Sequence, residues 1–292
     1  MRAHSAILLG MWLSLLALTA PARADGPIPR SYPENGQRAS TYKSAEKLAA
    51  EKAAADADDA ACKGGKAAAC TALGTAFEVG EGRPQNRPVA ELLYRKACAA
   101  EHGDGCFNLA NLLRDADRDV GPEAVATFTI RACRLDVLAA CDVEADALAW
   151  GNWGPPDPQA ANALRRATCA KGRRESCRAL AGVLMGQGGS EADLDEGRAL
   201  IDRQCRIGDT EACAQAASHW QSQPVPEAAA QAVLYRELGC TAGDGSACLE
   251  RGNAVLRPSR GEDASARAAA LAYFDRACAR VDYLCSSAEM LR

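Results

Sequence analysis

Fourteen cysteines fall into seven pairs along this chain, and six pairs share the spacing C-x7-C: Cys62/Cys70, Cys98/Cys106, Cys133/Cys141, Cys169/Cys177, Cys205/Cys213 and Cys240/Cys248. The seventh, Cys278/Cys285, is one residue tighter. First cysteines recur at intervals of 36, 35, 36, 36, 35 and 38 residues. Self-similarity at a period of this length marks a stack of small units, each buried against its neighbours, so the 292 residues need no single central core.

The spacing also fixes a topology. Within one continuous helix, eight residues at 1.5 Å rise hold two Cα atoms about 12 Å apart, whereas a disulfide tolerates only about 4.4 to 6.8 Å. A bonded pair must therefore flank a helix break. Gly64-Gly65, Gly103-Asp104-Gly105, Gly172, Gly208-Asp209 and Gly243-Asp244-Gly245 can adopt the left-handed cap and the next N-cap, with Asp136 and Asp282 standing in elsewhere. The expected bridges Cys62–Cys70, Cys98–Cys106, Cys133–Cys141, Cys169–Cys177, Cys205–Cys213, Cys240–Cys248 and Cys278–Cys285 each tie the end of one helix to the start of the next.

Each period divides into two helical stretches. Ser44 to Ala61 reads as the first helix; Cys106 to Asp115 precedes a break at Gly121-Pro122 and a second stretch from Glu123 to Cys133. Similar breaks fall at Gly80-Glu81-Gly82, Gly154-Pro155-Pro156, Gly188-Gly189-Ser190, Pro224-Val225-Pro226 and Pro258-Ser259-Arg260-Gly261. Aromatic content of only 5% favours close helix contacts over a thick interior. Four residues past the second cysteine stand Gly74, Ala110, Ala145, Ala181, Ala217 and Gly252, where two helix backbones are expected to approach; Glu289 takes that place in the terminal unit. The expected fold is all-α, a right-handed α-solenoid of six to seven disulfide-bridged helix-turn-helix repeats of about 36 residues over residues 44–292.

Ala6 to Thr19 is an apolar run behind Arg2, followed by the small-x-small pattern Ala22-Arg23-Ala24. That order reads as a signal peptide over residues 1–24, cleaved at Ala24/Asp25. The proline-bearing stretch 25–43 reads as a flexible leader. Cleavage leaves 32 basic against 38 acidic residues, which disfavours nucleic acid as a partner. No further run is long and apolar enough to span a bilayer, and paired cysteines suit an oxidising secreted or periplasmic setting.

The period, the paired helices and the motifs Leu93-Tyr94-Arg95-Lys96-Ala97-Cys98 and Gly103-Asp104-Gly105-Cys106 resemble the Sel-one-like repeat, a relative of the tetratricopeptide repeat. The unit Cys70 to Cys106 matches it best, with Leu73-Gly74, Gly80-Glu81-Gly82 and Ala90 ahead of Leu93. Middle units depart from it: Glu144 and Arg251 replace Leu73, and Thr129 or Ile201 stand where Tyr94 does. The regular cysteine pairs are similar to those of the Helicobacter cysteine-rich protein group. The wider family implies an adaptor that holds proteins or peptides. The cysteine-rich branch implies penicillin binding or weak β-lactamase activity, with a cell-wall peptide or β-lactam as ligand.

Chemistry is thinly represented. Ser44-Ala45-Glu46-Lys47 matches S-x-x-K, yet neither SDN nor KTG accompanies it, and the reading is an ordinary helix start. His102 and His219 lie in different repeats, so no metal or other cofactor is expected. Trp150, Trp153 and Trp220 read as plugs between helices, with stacking on a ligand as the alternative. The acidic run Asp56 to Asp59 reads as a solvated helix end. Five residues past each second cysteine stand Thr75, Asn111, Asp146, Gly182, Ser218 and Asn253, a polar stripe that stacking would align into a ladder suited to an extended peptide. The expectation is a monomeric secreted or periplasmic binding scaffold without catalysis, the alternative being the β-lactam activity that the resemblance implies.

Overall fold

The computed structural model describes residues 44–115, 121–186, 189–259, 263–281 and 285–291. The signal peptide and leader expected over 1–24 and 25–43, and the proposed break residues Gly188, Arg260, Gly261 and Asp282, lie outside the described residues. Fourteen α-helices occur among the described residues, within a unit that runs from Ala45 to Arg292. They are α1 (Ala45–Lys63), α2 (Ala67–Val79), α3 (Arg87–Ala99), α4 (Gly103–Arg114), α5 (Pro122–Arg134), α6 (Leu138–Trp150) and α7 (Pro158–Ala170). The series continues with α8 (Arg174–Leu184), α9 (Glu191–Arg206), α10 (Thr210–Gln221), α11 (Ala228–Ala242), α12 (Gly245–Leu256), α13 (Ala264–Cys278) and α14 (Cys285–Glu289). Each packs on its chain neighbours, and no strand interrupts the described series. The unit is an α-solenoid of helix pairs, with several local apolar clusters in place of one core.

Seven disulfides join odd-numbered helices to the even-numbered helices that follow, with Cα atoms 4.4 to 4.7 Å apart. A common turn brings them that close. In all six C-x7-C units the carbonyl before the first cysteine accepts a hydrogen bond from the amide five residues on, as in Ala97 O from His102 N and Thr168 O from Arg173 N. This closure places one residue in the left-handed region, three past the first cysteine. Gly65, Gly172, Gly208 and Gly243 serve four of the units. Glu101 (φ 58°) and Asp136 (φ 62°) serve the other two. The break expected at Gly103-Asp104-Gly105 therefore lies two residues earlier, and Gly103 already begins α4. Gly105 has a different duty: a Cβ there would stand 2.6 Å from Ala97 Cβ and 3.2 Å from Cys98 N, so its bare backbone lets α4 close on α3.

The small residue four past the second cysteine also works otherwise than expected. What approaches it is a side chain from the next odd helix. A Cβ on Gly74 would stand 2.6 Å from Tyr94 Cε1, and one on Gly252 would overlap the Phe274 ring. Tyr94 and Phe274 are themselves almost wholly buried. The same receptor position is filled against Ala181 by Ile201 and against Ala217 by Tyr235 in one cluster. Beside Ala145 the third repeat uses a buried cation, Arg165, whose Nη2 donates to Asp146 Oδ1 at 2.7 Å and Nη1 to Asn162 Oδ1 at 3.2 Å.

Successive repeats are keyed by one further pair of positions. At the first four interfaces the residue after the second cysteine faces the N-cap residue of the next even helix. Thr71 Oγ1 lies 3.0 Å from His102 Nδ1, Asp142 accepts from Arg173 Nε at 2.7 Å, and Arg178 Nη1 donates to both Asp209 oxygens at 2.9 and 2.7 Å. Phe107 and Val137 fill the intervening interface with apolar surface.

Candidate binding surface

Helices α2, α4, α6, α8, α10 and α12 turn an uncovered face outward, and the polar stripe lies on it. Thr75, Asp146, Gly182, Ser218 and Asn253 are exposed and Asn111 is half-buried. The members are not equivalent. Thr75 Oγ1 lies 3.1 Å from the Tyr94 hydroxyl, which donates to Glu78 at 2.7 Å, and Asp146 neutralises Arg165. These two stripe residues are engaged by their own repeats. Ser218 and Asn253 instead line two clefts that share Gln221, Arg236 and Glu250.

The first cleft, about 180 Å³, lies among α10, α11 and α12, over Cys213, Ala217, Gly239 and Ala247. The second, about 360 Å³, continues past Val233, Arg251, Asn253 and Arg257. Arg236 bridges their rim: its Nε donates to Glu250 at 2.5 Å and its Nη2 to Gln221 Oε1 at 2.5 Å. Behind it Glu237 accepts from the Tyr273 hydroxyl at 2.7 Å and from Arg251 Nε at 3.0 Å. Burial opposes the Glu237 charge, but these two donors and the arginines together hold its carboxyl below the usual range. Burial and Asp202 push the Tyr235 hydroxyl, also on the first cleft, up to about 12. Such fixed ion pairs and hydroxyls can orient a polar ligand without reorganising.

A third cleft, about 520 Å³, lies on Gln159, Asn162, Arg166, Val183 and Asp193. There Arg166 clamps Glu196 with two 2.8 Å hydrogen bonds, which lower the carboxyl and raise the guanidinium.

The tryptophans divide. Trp153 packs on the cluster around Leu109 and Leu113, and Trp220 packs beside Ile201 and Tyr235 under the Arg198 guanidinium, 5.1 Å from its ring centroid. Trp150 departs from the packing expected of it, with 78% of its surface exposed at the end of α6. The remaining sequence candidates are not drawn together. Ser44 and Lys47 are both exposed at the start of α1. His102 caps α4 by accepting from Gly105 N, whereas His219 lies beside Arg198, and burial followed by that cation lowers its pKa. The acidic run is tied to Lys52, Arg83 and Lys63. Among the described residues, no three of His, Cys, Asp and Glu could hold a metal ion.

Gln221, Arg236 and Glu250 were not singled out from the sequence, and Asp244 was marked there only as a helix cap. The signal for them is a register break: Tyr235 occupies the buried receptor position five residues before Cys240, where the other units place that residue four before, so Arg236 is turned to the cleft.

No family model and no curated protein matches the sequence. Solved structures do. One from uropathogenic Escherichia coli strains, described as a protective antigen displaying an SLR fold, superposes with a TM-score of 0.58 at 19% identity, over 77% of this chain and 48% of that one. A Sel1 repeat protein from Oxalobacter formigenes superposes with a TM-score of 0.55 at 16% identity, over 73% of this chain and 85% of that one. This chain has the Sel-one-like repeat fold. It spans about half the length of the Escherichia coli structure. Among the described residues, no helix of this Sel-one-like solenoid is long and apolar enough to cross a membrane. Its seven disulfides fit an oxidising extracellular or periplasmic setting.

Proposed function

We propose that the protein is a secreted or periplasmic scaffold, working as a monomer, that binds an extended protein or peptide segment along the outward face of its even-numbered helices and performs no chemistry on it. The observation that carries this reading is the run of connected polar clefts from Ser218 to Asn253, on the face that every second helix leaves uncovered. The disulfides support it, since a staple in each turn holds the even helices at fixed spacing and lowers the cost of ordering the surface on binding. The Sel-one-like fold supports it too, because stacked repeats commonly bind along an extended surface.

The test is selection of peptides from a phage-displayed random library on the purified protein, repeated on the double variant Ser218→Arg, Asn253→Arg. Peptides that bind the native chain and lose at least tenfold in affinity on the variant support the reading. A native protein that enriches nothing, or peptides indifferent to both substitutions, would sink it.

A further inference from the structure

The keying positions between repeats differ at one interface. Where Arg178 of α8 stands on Asp209, the N-cap of α10, the next interface places Ala214 opposite Asp244, the N-cap of α12. Asp244 keeps the capping duty, its Oδ1 accepting from Ser246 N at 2.9 Å and Ala247 N at 3.1 Å. The arginine has no counterpart at Ala214. Its space is not filled from the other side either, because the residue before the first cysteine is Gly239 here and Gln204 in the preceding repeat. The result is the cleft of about 180 Å³, lined by Ala214, Gly239, Asp244, Ser246 and Ser218. Arg236, the cation on its rim, is engaged by Glu250 and Gln221. Arg280 lies over Gly243 and does not line the cleft.

We propose that this cleft takes the guanidinium group of an arginine side chain from a bound segment, seated against Asp244 as Arg178 is seated against Asp209. The assignment rests on the scaffold reading and supplies it with a specificity. The α8/α10 interface shows the geometry within the same chain: one guanidinium nitrogen, Nη1, reaches both carboxylate oxygens, while Nη2 reaches Glu211 at 2.5 Å. At α10/α12 the matching residues are Asp244 and, two positions on as Glu211 is from Asp209, Ser246, and Ser218 lines the same cleft. A planar donor group suits such a slot better than an ammonium, because its directed N–H groups address a carboxylate and a hydroxyl together. The floor of Ala214, Ala217 and Gly239 accommodates the methylene stem.

The probe is N-acetyl-arginine amide, titrated into isotope-labelled full-length protein and followed by amide chemical shifts. Its neutral isostere N-acetyl-citrulline amide serves as control. Saturable shifts at Gly239, Ser246 and Ala247 are expected with the arginine probe, at least tenfold weaker with citrulline. Asp244→Asn preserves an N-cap of equal quality and is expected to weaken the arginine probe at least tenfold. Ala214→Arg is expected to abolish probe binding by supplying the guanidinium internally, with a rise in the thermal midpoint. Equal binding of arginine and citrulline probes, or undiminished arginine binding by Asp244→Asn, overturns the assignment. Library peptides that lack arginine and bind Asp244→Asn undiminished overturn it while leaving the scaffold reading intact. Failure to select any peptide removes the scaffold reading while the probe titration still decides whether the slot recognises guanidinium.

Discussion

Glu101 and Asp136 hold a left-handed conformation at the position where Gly65, Gly172, Gly208 and Gly243 serve the other repeats, so the chain contains its own controls for the cost of a side chain there. A non-glycine residue in this region is disfavoured by about 1 to 2 kcal/mol. Glycine returns about 0.4 to 1 kcal/mol of that through the greater freedom of its unfolded chain. Glu101→Gly should therefore stabilise the fold by about 0.5 to 1 kcal/mol. Glu101 is exposed between the C-terminus of α3 and the N-terminus of α4, whose opposite partial charges offset each other, so the conformational term sets the sign. The reciprocal change is Gly172→Ala. A Cβ at Gly172 would meet nothing within 4 Å, so its cost comes from the backbone at φ 92° alone, again about 0.5 to 1 kcal/mol. Thermal unfolding with all disulfides intact should show Glu101→Gly raised by about 1 to 4 °C and Gly172→Ala lowered by a similar amount. If Glu101→Gly lowers the midpoint, or Gly172→Ala leaves it unchanged, the shared turn is not what sets the chain's path between helices.

Gly252→Ala should destabilise by about 1 to 3 kcal/mol in urea unfolding, because the added methyl overlaps the buried Phe274 ring. Tyr235, raised by burial and by Asp202 to about 12, stays neutral in the fold above the pH at which it ionises in the unfolded chain. Its contribution is complete below about pH 10 and lost as pH rises through about 12; Tyr235→Phe should flatten the alkaline fall in stability over that window. Full reduction should raise the intact mass by about 14 Da, two hydrogens for each bridge, and free thiols in the native protein would contradict the pairing. Replacing Cys133 and Cys141 together by serine should cost about 2 to 3 kcal/mol, the chain-entropy value for so short a loop, read from chemical unfolding.

The helix pairs were legible because three independent signals coincide in the first six repeats: the cysteine spacing, a small residue four further on, and glycine or proline between helices. Of the two non-glycine left-handed residues, Asp136 was legible as a stand-in for glycine, because aspartate tolerates that region, whereas Glu101 was not: nothing in its chemistry announces a positive φ, and the neighbouring Gly103 and Gly105 point to a break two residues later. The keying pairs were hidden for another reason. Thr71 with His102, Asp142 with Arg173 and Arg178 with Asp209 change residue type and even polarity while conserving position, so a pattern search by residue type passes over them. The stripe was visible by counting, but its division was not: Asp146 is committed to Arg165, and that follows from a cation occupying a position filled by Tyr94 in the second helix pair. Trp150 and Trp153 are three residues apart and chemically alike, and only the path of the turn separates the exposed ring from the half-buried one.

The central claim is that function resides on the outward face of the even helices. Hydrogen exchange on the intact, oxidised protein, with and without a library-selected peptide, tests it most directly. The account predicts slowed exchange concentrated in α10 and α12 around Ser218 and Asn253, extending along α4 and α8, with α5, α7 and α13 unchanged. Protection confined to the odd-numbered helices, or to α1 and α14 at the ends of the stack, would contradict it.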